Sequence, residues 1–297
     1  MYKAKEEGKN NFQLYSEKLR SESLERLNLE SSLRRALELN QFKLYYQAKR
    51  DLITGKVTGV EALLRWQHPD LGLVAPTRFL KIADEIGLII PIGKWVLESV
   101  CRQSADWRLQ GLPQFRVSVN LSDKQFFDPN LPGDLAKILQ QSGVAAETLE
   151  LEISEAILLR SPPRALSVLT SLKALGVRIA IDNFGIGYSS LGPLRGMPLD
   201  SVKIDRSFMQ GFSDAAGHKP LAEAIVAMGR TLGLTLVAQG VESEEQVLFL
   251  REHACNEVQG FYVNGPMPAE QVAAILNGHA TESGHDAQSG GEKRSPE

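Results

Sequence analysis

Between residues 42 and 260, short runs in which apolar and polar side chains alternate are separated by stretches long enough for helices. The runs are FKLYYQ (42–47), VTGVEALLRW (57–66), FRVSVN (115–120), LELEIS (149–154), VRIAID (177–182), SVKID (201–205), LTLVAQ (234–239) and NEVQG (256–260). Side chains along a strand point alternately to its two faces, so Val117, Val119 and Leu121 face one way and Ser118 and Asn120 the other. Leu149, Leu151 and Ile153 oppose Glu150, Glu152 and Ser154 in the same manner. Val177, Ile179 and Ile181 oppose Arg178, Ala180 and Asp182, while Val202 and Ile204 oppose Lys203 and Asp205. Strands with one apolar and one polar face, alternating with helices, predict an α/β fold with a parallel sheet covered by helices. Eight strands over roughly 235 residues match a closed (β/α)8 barrel, which typically takes about 250.

Inward polar groups at the strand C-termini of such a barrel meet at one mouth, where active sites of this architecture lie. That brings Glu61, Asn120, Glu152, Asp182, Lys203 and Gln239 together from distant parts of the chain. Carboxylates gathered in a partly buried pocket repel one another and lose hydration unless cations neutralise them. Oxygen ligands with no His or Cys at these strand ends select Mg2+, Mn2+ or Ca2+ over zinc. His68, in QHPDLG, reads as a loop residue without metal duty. Glu61 alone would be explained equally well by pairing with Arg65 on the same strand face; its company at the mouth argues for a ligand role.

The 297 residues suit one large domain or two small ones, and 43% hydrophobic with 23% charged residues is ordinary globular composition. A net charge of -3 and a pI near 6.0 exclude a nucleic-acid polymer as partner, because backbone binders carry a basic surplus. A small anionic ligand, held locally by metal or a few cations, fits. Cys101 and Cys255 lack CxxC spacing and read as small buried hydrophobes in a reducing cytoplasm. No apolar run reaches the roughly 18 residues of a membrane span, and Met1 is followed by charged residues, so no span or signal segment is expected.

The ends differ from the middle. Residues 1–22 are charged and have no core of their own. Residues 23–40 predict a connecting helix, half docked, with Leu29, Leu33, Ala36 and Leu37 on one face and Leu24 and Leu27 left to pack elsewhere. The barrel is expected over 41–278, and the polar, Gly- and Ser-rich 279–297 reads as a disordered tail.

Seven blocks now carry a resemblance: EALLRW (61–66), VNLS (119–122), ELEISE (150–155), IDNFGIGYSSL (181–191), LDSVKIDRSF (199–208), AQGVES (238–243) and VQGFYV (258–263). In order and spacing the chain resembles the EAL domain of bacterial cyclic di-GMP phosphodiesterases, a modified (β/α)8 barrel, over residues 25–275. Residues 1–22 resemble the C-terminal end of a GGDEF diguanylate cyclase domain, whose signature is absent. The resemblance implies Mg2+ or Mn2+ at Glu61, Asn120, Glu152 and Asp182, with Asp182 shared with a second ion at Asn183 and Gln239. It implies that Lys203 lies near the attacking water and that Glu155 steadies the loop 183–190, whose Gly185 and Gly187 supply backbone freedom. Gln47, Glu61, Leu63, Arg65, Asp205 and Gln259 match positions that contact the dinucleotide, and a homodimer is implied as well.

Two positions depart from the family. Its loop opens Asp-Asp-Phe-Gly where this chain has Asp182-Asn183-Phe184-Gly185, and its Glu-Gly-Val-Glu is Gln239-Gly240-Val241-Glu242 here. Each change keeps shape and removes a charge. The first metal keeps its ligand set while the second retains only Asp182 as an anion, with amides as weaker ligands. In two-metal hydrolysis this should harm turnover more than binding. Two readings follow: a slow phosphodiesterase yielding linear pGpG, or a receptor that binds cyclic di-GMP without hydrolysing it.

Overall fold

The computed structural model describes residues 17–186, 191–210 and 218–276. Among these residues nine strands form one sheet: β1 Phe42–Asp51, β2 Val57–His68, β3 Gly72–Val74, β4 Arg116–Leu121, β5 Leu149–Ser154, β6 Arg178–Phe184, β7 Ser201–Ile204, β8 Thr235–Gln239 and β9 Glu257–Gln259. β1 pairs with both β9 and β2, which closes eight strands into a barrel and leaves β3 as an antiparallel flap on β2. From β2 through β4 to β9 every pairing is parallel.

The expected eight strands all occur, and the barrel is a modified one as the resemblance implies. The departure from a regular barrel is β1, which runs antiparallel to both neighbours. A tight turn at 52–56 leads from β1 straight into β2, organised by Asp51, whose Oδ1 accepts from the amides of Ile53 and Thr54. Antiparallel strands need only a short turn, whereas parallel ones need a crossover. β3 was not anticipated; three residues are too short to show a period.

The apolar strand faces pack outward as read: Val117, Val119, Leu149, Leu151, Ile179, Ile181 and Val202 are buried. Helices cover the barrel: α3 (Ile89–Leu109) packs on β4 and β1, α2 (Pro76–Glu85) packs on β2, and α1 (Glu17–Ala36) packs on α2. Two short helices are started by Ser-x-x-Gln capping boxes, at Ser122 with Gln125 and at Ser243 with Gln246, so their entry points beside the mouth are fixed locally.

α1 begins before the expected residue 23 and ends at Ala36, where a turn with left-handed Asn40 leads into β1. Leu29, Leu33 and Ala36 are buried and Leu37 packs against the core, whereas Leu27 is 60% exposed. That is the half-docked helix expected. The Leu24 side chain, residues 1–16 and the tail 279–297 lie outside the described residues.

His68 is the last residue of β2 rather than a loop residue, and it is buried. Its Nδ1 accepts from the amides of Asp70 and Leu71, so its duty is to shape the turn into β3. Cys101 and Cys255 are free and buried, and burial pushes their thiols up to about 11 and about 12. Among the described residues no helix is long and apolar enough to cross a membrane.

Docking of α1 rests on Leu33. Leu33→Ala should cost about 2–5 kcal/mol in urea unfolding, as for other fully buried leucines, and Leu27→Ala under about 0.5 kcal/mol. Equal costs would show that α1 does not pack on the barrel through this face.

Candidate functional site

The polar strand faces point into the barrel and fill it with charge. At the centre of the C-terminal mouth stands Lys203, fully buried on β7. Its Nζ lies 2.8 Å from Glu61 Oε2 on β2 and 3.6 Å from Asp182 Oδ1 on β6, and it bonds Glu152 Oε2 on β5. Neighbouring parallel strands put these residues side by side: Asn120 is in register with Glu152, and Ser154 with Asp182. Asn120 donates to Glu61 Oε1 at 2.6 Å, and Gln259 donates to Glu61 Oε2 at 2.7 Å. Gln47 on β1 reaches Gln259 at 3.2 Å. The expected convergence of Glu61, Asn120, Glu152, Asp182, Lys203 and Gln239 therefore occurs, with Gln47 and Gln259 joined to it. Glu61 pairs with Lys203, not with Arg65.

β6 leaves the regular ladder at this point. Its register against β7 shifts between Ile181 and Phe184, and Asn183 takes a left-handed φ of 56°, which Asn tolerates better than most residues. Gly185 follows at φ 94°, where a Cβ would come within 2.7 Å of Ile225. The Gly185 amide donates to Glu155 Oε2 at 3.3 Å, which ties Glu155 to the root of the loop. Its other oxygen is buried without a partner. Gly187 and the rest of the loop to residue 190 lie outside the described residues. Both altered positions touch Asp182: Asn183 Nδ2 donates to Oδ2 at 2.9 Å and Gln239 Nε2 to Oδ1 at 3.1 Å.

Other expected ligand contacts stand at the edge of this cluster. Leu63 and Arg65 follow Glu61 on the same face of β2, and Arg65 lies over the Tyr45 ring at 5.8 Å while donating to the Leu64 carbonyl at 2.8 Å. Asp205 directly follows β7 and accepts from the Ser207 amide at 2.8 Å, which caps the turn that follows.

Lys49, which ties the floor of the site together, has no role in the sequence reading. Lys49, on β1, is fully buried. It donates to Ser118 Oγ at 2.6 Å, Glu150 Oε2 at 2.9 Å and Glu152 Oε1 at 2.9 Å. Glu150 is held further by Ser118 and Ser201, each at 2.7 Å, and Arg116 bonds Glu257. Gln47 and Lys49 share one face of β1 by period-two spacing, and that was the signal available.

The charges are unequal in their settings. Burial acts against an ionised Glu61, but Lys203 and Lys49 outweigh it and lower the group to about 2. Burial and the neighbouring charge of Glu61 push Glu152 up to about 7. Burial also acts to discharge Lys203, yet Glu152, Glu61 and Asp182 hold its ammonium well above the ordinary range. Lys203, with Lys49 shared between Glu150 and Glu152 below it, leaves Glu61, Glu152 and Asp182 short of positive charge, and their oxygens with the Asn120 amide form a hard donor set that fits Mg2+ or Mn2+. Among the described residues no three His, Cys, Asp or Glu side chains already surround a common metal position, because Glu61, Glu152 and Asp182 turn toward Lys203.

A closed barrel with carboxylates, an amide and a lysine at its C-terminal mouth is the arrangement expected of the EAL class, and the EAL domain family matches residues 30–266: the chain belongs to it. Among its relatives is the bifunctional diguanylate cyclase/cyclic di-GMP phosphodiesterase MucR of Pseudomonas aeruginosa, 42% identical over 276 residues, 93% of this chain and 40% of MucR. The cyclic di-GMP phosphodiesterase PdeR of Escherichia coli is 39% identical over 271 residues, 91% of this chain and 40% of PdeR. The chain thus spans about two fifths of these relatives' length. Among solved structures, the PaMucR phosphodiesterase complex with c-di-GMP superposes with a TM-score of 0.80 at 43% identity, covering 82% of this chain and 99% of that one. The FimX EAL domain of Pseudomonas aeruginosa bound to c-di-GMP gives 0.74 at 27% identity, covering 80% and 96%.

Glu152 holds its proton more tightly in the fold than in the unfolded chain, so it destabilises the fold as pH rises from about 4.5 through about 7, and by a constant amount above. In the metal-free protein, the stability of Glu152→Gln relative to the unaltered chain should therefore be more favourable at pH 8 than at pH 5. Urea unfolding at the two pH values checks this. A variant that loses several kcal/mol more at pH 8 than at pH 5 would show that Glu152 is ionised and favourably paired.

Proposed function

We propose that this chain binds cyclic di-GMP at the barrel mouth and hydrolyses it slowly to linear pGpG. The observation that carries the reading is the clamp on Asp182, in which Asn183 and Gln239 each donate an amide hydrogen bond to one of its oxygens. An amide facing a carboxylate presents its NH2 group, so neutral donors satisfy Asp182 where the family's pattern has two further carboxylates and a second cation. Binding survives because the ligand-contacting set Gln47, Glu61, Leu63, Arg65, Asp205 and Gln259 is whole. The complexes of MucR and FimX with c-di-GMP support that choice of ligand.

Glu61, Asn120, Glu152 and Asp182 are the residues that would hold one Mg2+ or Mn2+. When bound there, the ion supplies positive charge and lowers the pKa of water. Arg65 offers a planar guanidinium fork to a phosphate, and Asp205 and Gln259 offer hydrogen-bonding groups to guanine edges. Lys203 remains protonated among its carboxylates and orients the polar groups at the mouth. Glu155, through Gly185, keeps the root of the loop next to Asp182.

The same clamp favours a second reading, a receptor without turnover. In either case residues 1–22 are read as the end of a GGDEF-like domain, and the whole protein as a cytoplasmic homodimer. The family resemblance supports this, and the cyclase-domain reading is supported by MucR, a bifunctional diguanylate cyclase/cyclic di-GMP phosphodiesterase of which this chain spans 40%.

Calorimetry should show micromolar or tighter binding of cyclic di-GMP, and Arg65→Ala should weaken it by about 1.5–3 kcal/mol. No saturation at high ligand would remove both readings. Product formation should be slow, faster with Mn2+ than Mg2+, and raised by Asn183→Asp combined with Gln239→Glu, each tenfold gain being about 1.4 kcal/mol off the barrier. Either single change should recover less than its share, because both positions act on one carboxylate. Turnover by the unaltered chain near 1–10³ per second, on the order usual for enzymes, would overturn the slow-enzyme and receptor readings alike. Binding with no product under any metal leaves the receptor.

A further inference from the structure

Glu152 is gripped from two sides. From the mouth, Lys203 takes Oε2, and from the floor Lys49 takes Oε1 at 2.9 Å. Lys49 is anchored in turn by Ser118 Oγ at 2.6 Å and Glu150 Oε2 at 2.9 Å, and Glu150 Oε1 accepts from Ser201 at 2.7 Å. All six side chains are buried. They come from four different strands, β1, β4, β5 and β7, so the floor is a cross-braced polar layer and not a local turn. A carboxylate with both oxygens at liberty can rotate about its last bond, because that torsion is broad. Glu152 cannot, while Lys49 keeps Oε1 facing downward.

We propose that Lys49 is a positioning residue for the metal-binding mouth. By fixing Oε1 of Glu152 to the floor it dedicates Oε2 to the mouth, so Glu152 offers a cation one oxygen in one orientation. This rests on the reading above that Glu152 is a metal ligand. Lys49 stands below the mouth, and Glu152 is the proposed metal ligand that it bonds directly. The design parallels the carboxylate and carbonyl partners that orient ligating side chains elsewhere, whose removal typically costs about 10- to 100-fold in metal affinity.

The test compares Mn2+ affinity, read by electron paramagnetic resonance of the free ion, with the thermal midpoint of the metal-free protein. Lys49→Met leaves two buried carboxylates without their lysine and is expected to unfold more easily. Lys49→Met with Glu150→Gln removes one charge of each sign, so the layer stays balanced and the fold should hold. Glu150→Gln alone is the control, because Lys49 and Glu152 keep their bond. The double variant should bind Mn2+ about 10- to 100-fold more weakly than the unaltered chain, and the control within about threefold. A folded double variant with unaltered affinity overturns the proposal. If neither Lys49 variant folds, a structure of the unaltered chain with Mn2+ decides. Glu152 Oε1 still bonded to Lys49 with Oε2 on the metal supports the proposal, whereas both oxygens on the metal with Lys49 released overturns it. An unaltered chain that binds no Mn2+ at all defeats the metal-site reading itself, and this proposal with it.

Discussion

A lysine ammonium buried among three carboxylates sets the terms for everything else in this molecule. Lys203 approaches Glu61, Glu152 and Asp182 from a strand that has no exposed surface at that point. Taking such charges out of water is costly, and removing one partner of a buried pair leaves the others uncompensated. The barrel meets that cost by closing around the charges. Strands β2, β5, β6 and β7 bring opposite signs together at Lys203, and Asn120 and Gln259 add hydrogen bonds to Glu61 as Ser118 and Ser201 do to Glu150. The apolar strand faces, turned outward onto helices, supply the burial that holds this polar interior in place.

Asp182 shows how charge and shape separate. Asn and Gln occupy the space of Asp and Glu, so the barrel mouth keeps its outline, and the left-handed backbone at Asn183 keeps its turn. What changes is the sign of the interaction: each amide donates a hydrogen bond to Asp182, where a carboxylate would repel it unless a cation stood between. Two hydrogen bonds from neutral groups thus stabilise the Asp182 carboxylate without adding positive charge.

The alternation of side chains made most of the fold and the upper site legible. Glu150, Glu152, Asp182, Lys203 and Asn120 were placed on inward faces from period two alone, and their strands carry them there. The reversed direction of β1 was not legible, since a strand pattern has no arrow until its turn is seen, and the turn at 52–56 signals only locally. Lys49 escaped because a lone lysine in a strand resembles a solvated edge residue; its meaning comes from Glu150 and Glu152, a hundred residues away. The amide donations to Asp182 were hidden for another reason. The same residue type can offer oxygen to a metal or nitrogen to a carboxylate, and only geometry distinguishes the two. Asp205 likewise has a local capping bond that its motif did not announce.

The central claim is that Asn183 and Gln239 replace a second cation at Asp182. The most direct test is the number of Mn2+ ions bound per chain in the presence of excess cyclic di-GMP, counted by equilibrium dialysis with atomic absorption. One tightly held ion per chain is predicted, rising to two when Asn183→Asp and Gln239→Glu are combined. Two ions of similar affinity on the unaltered chain would contradict the account.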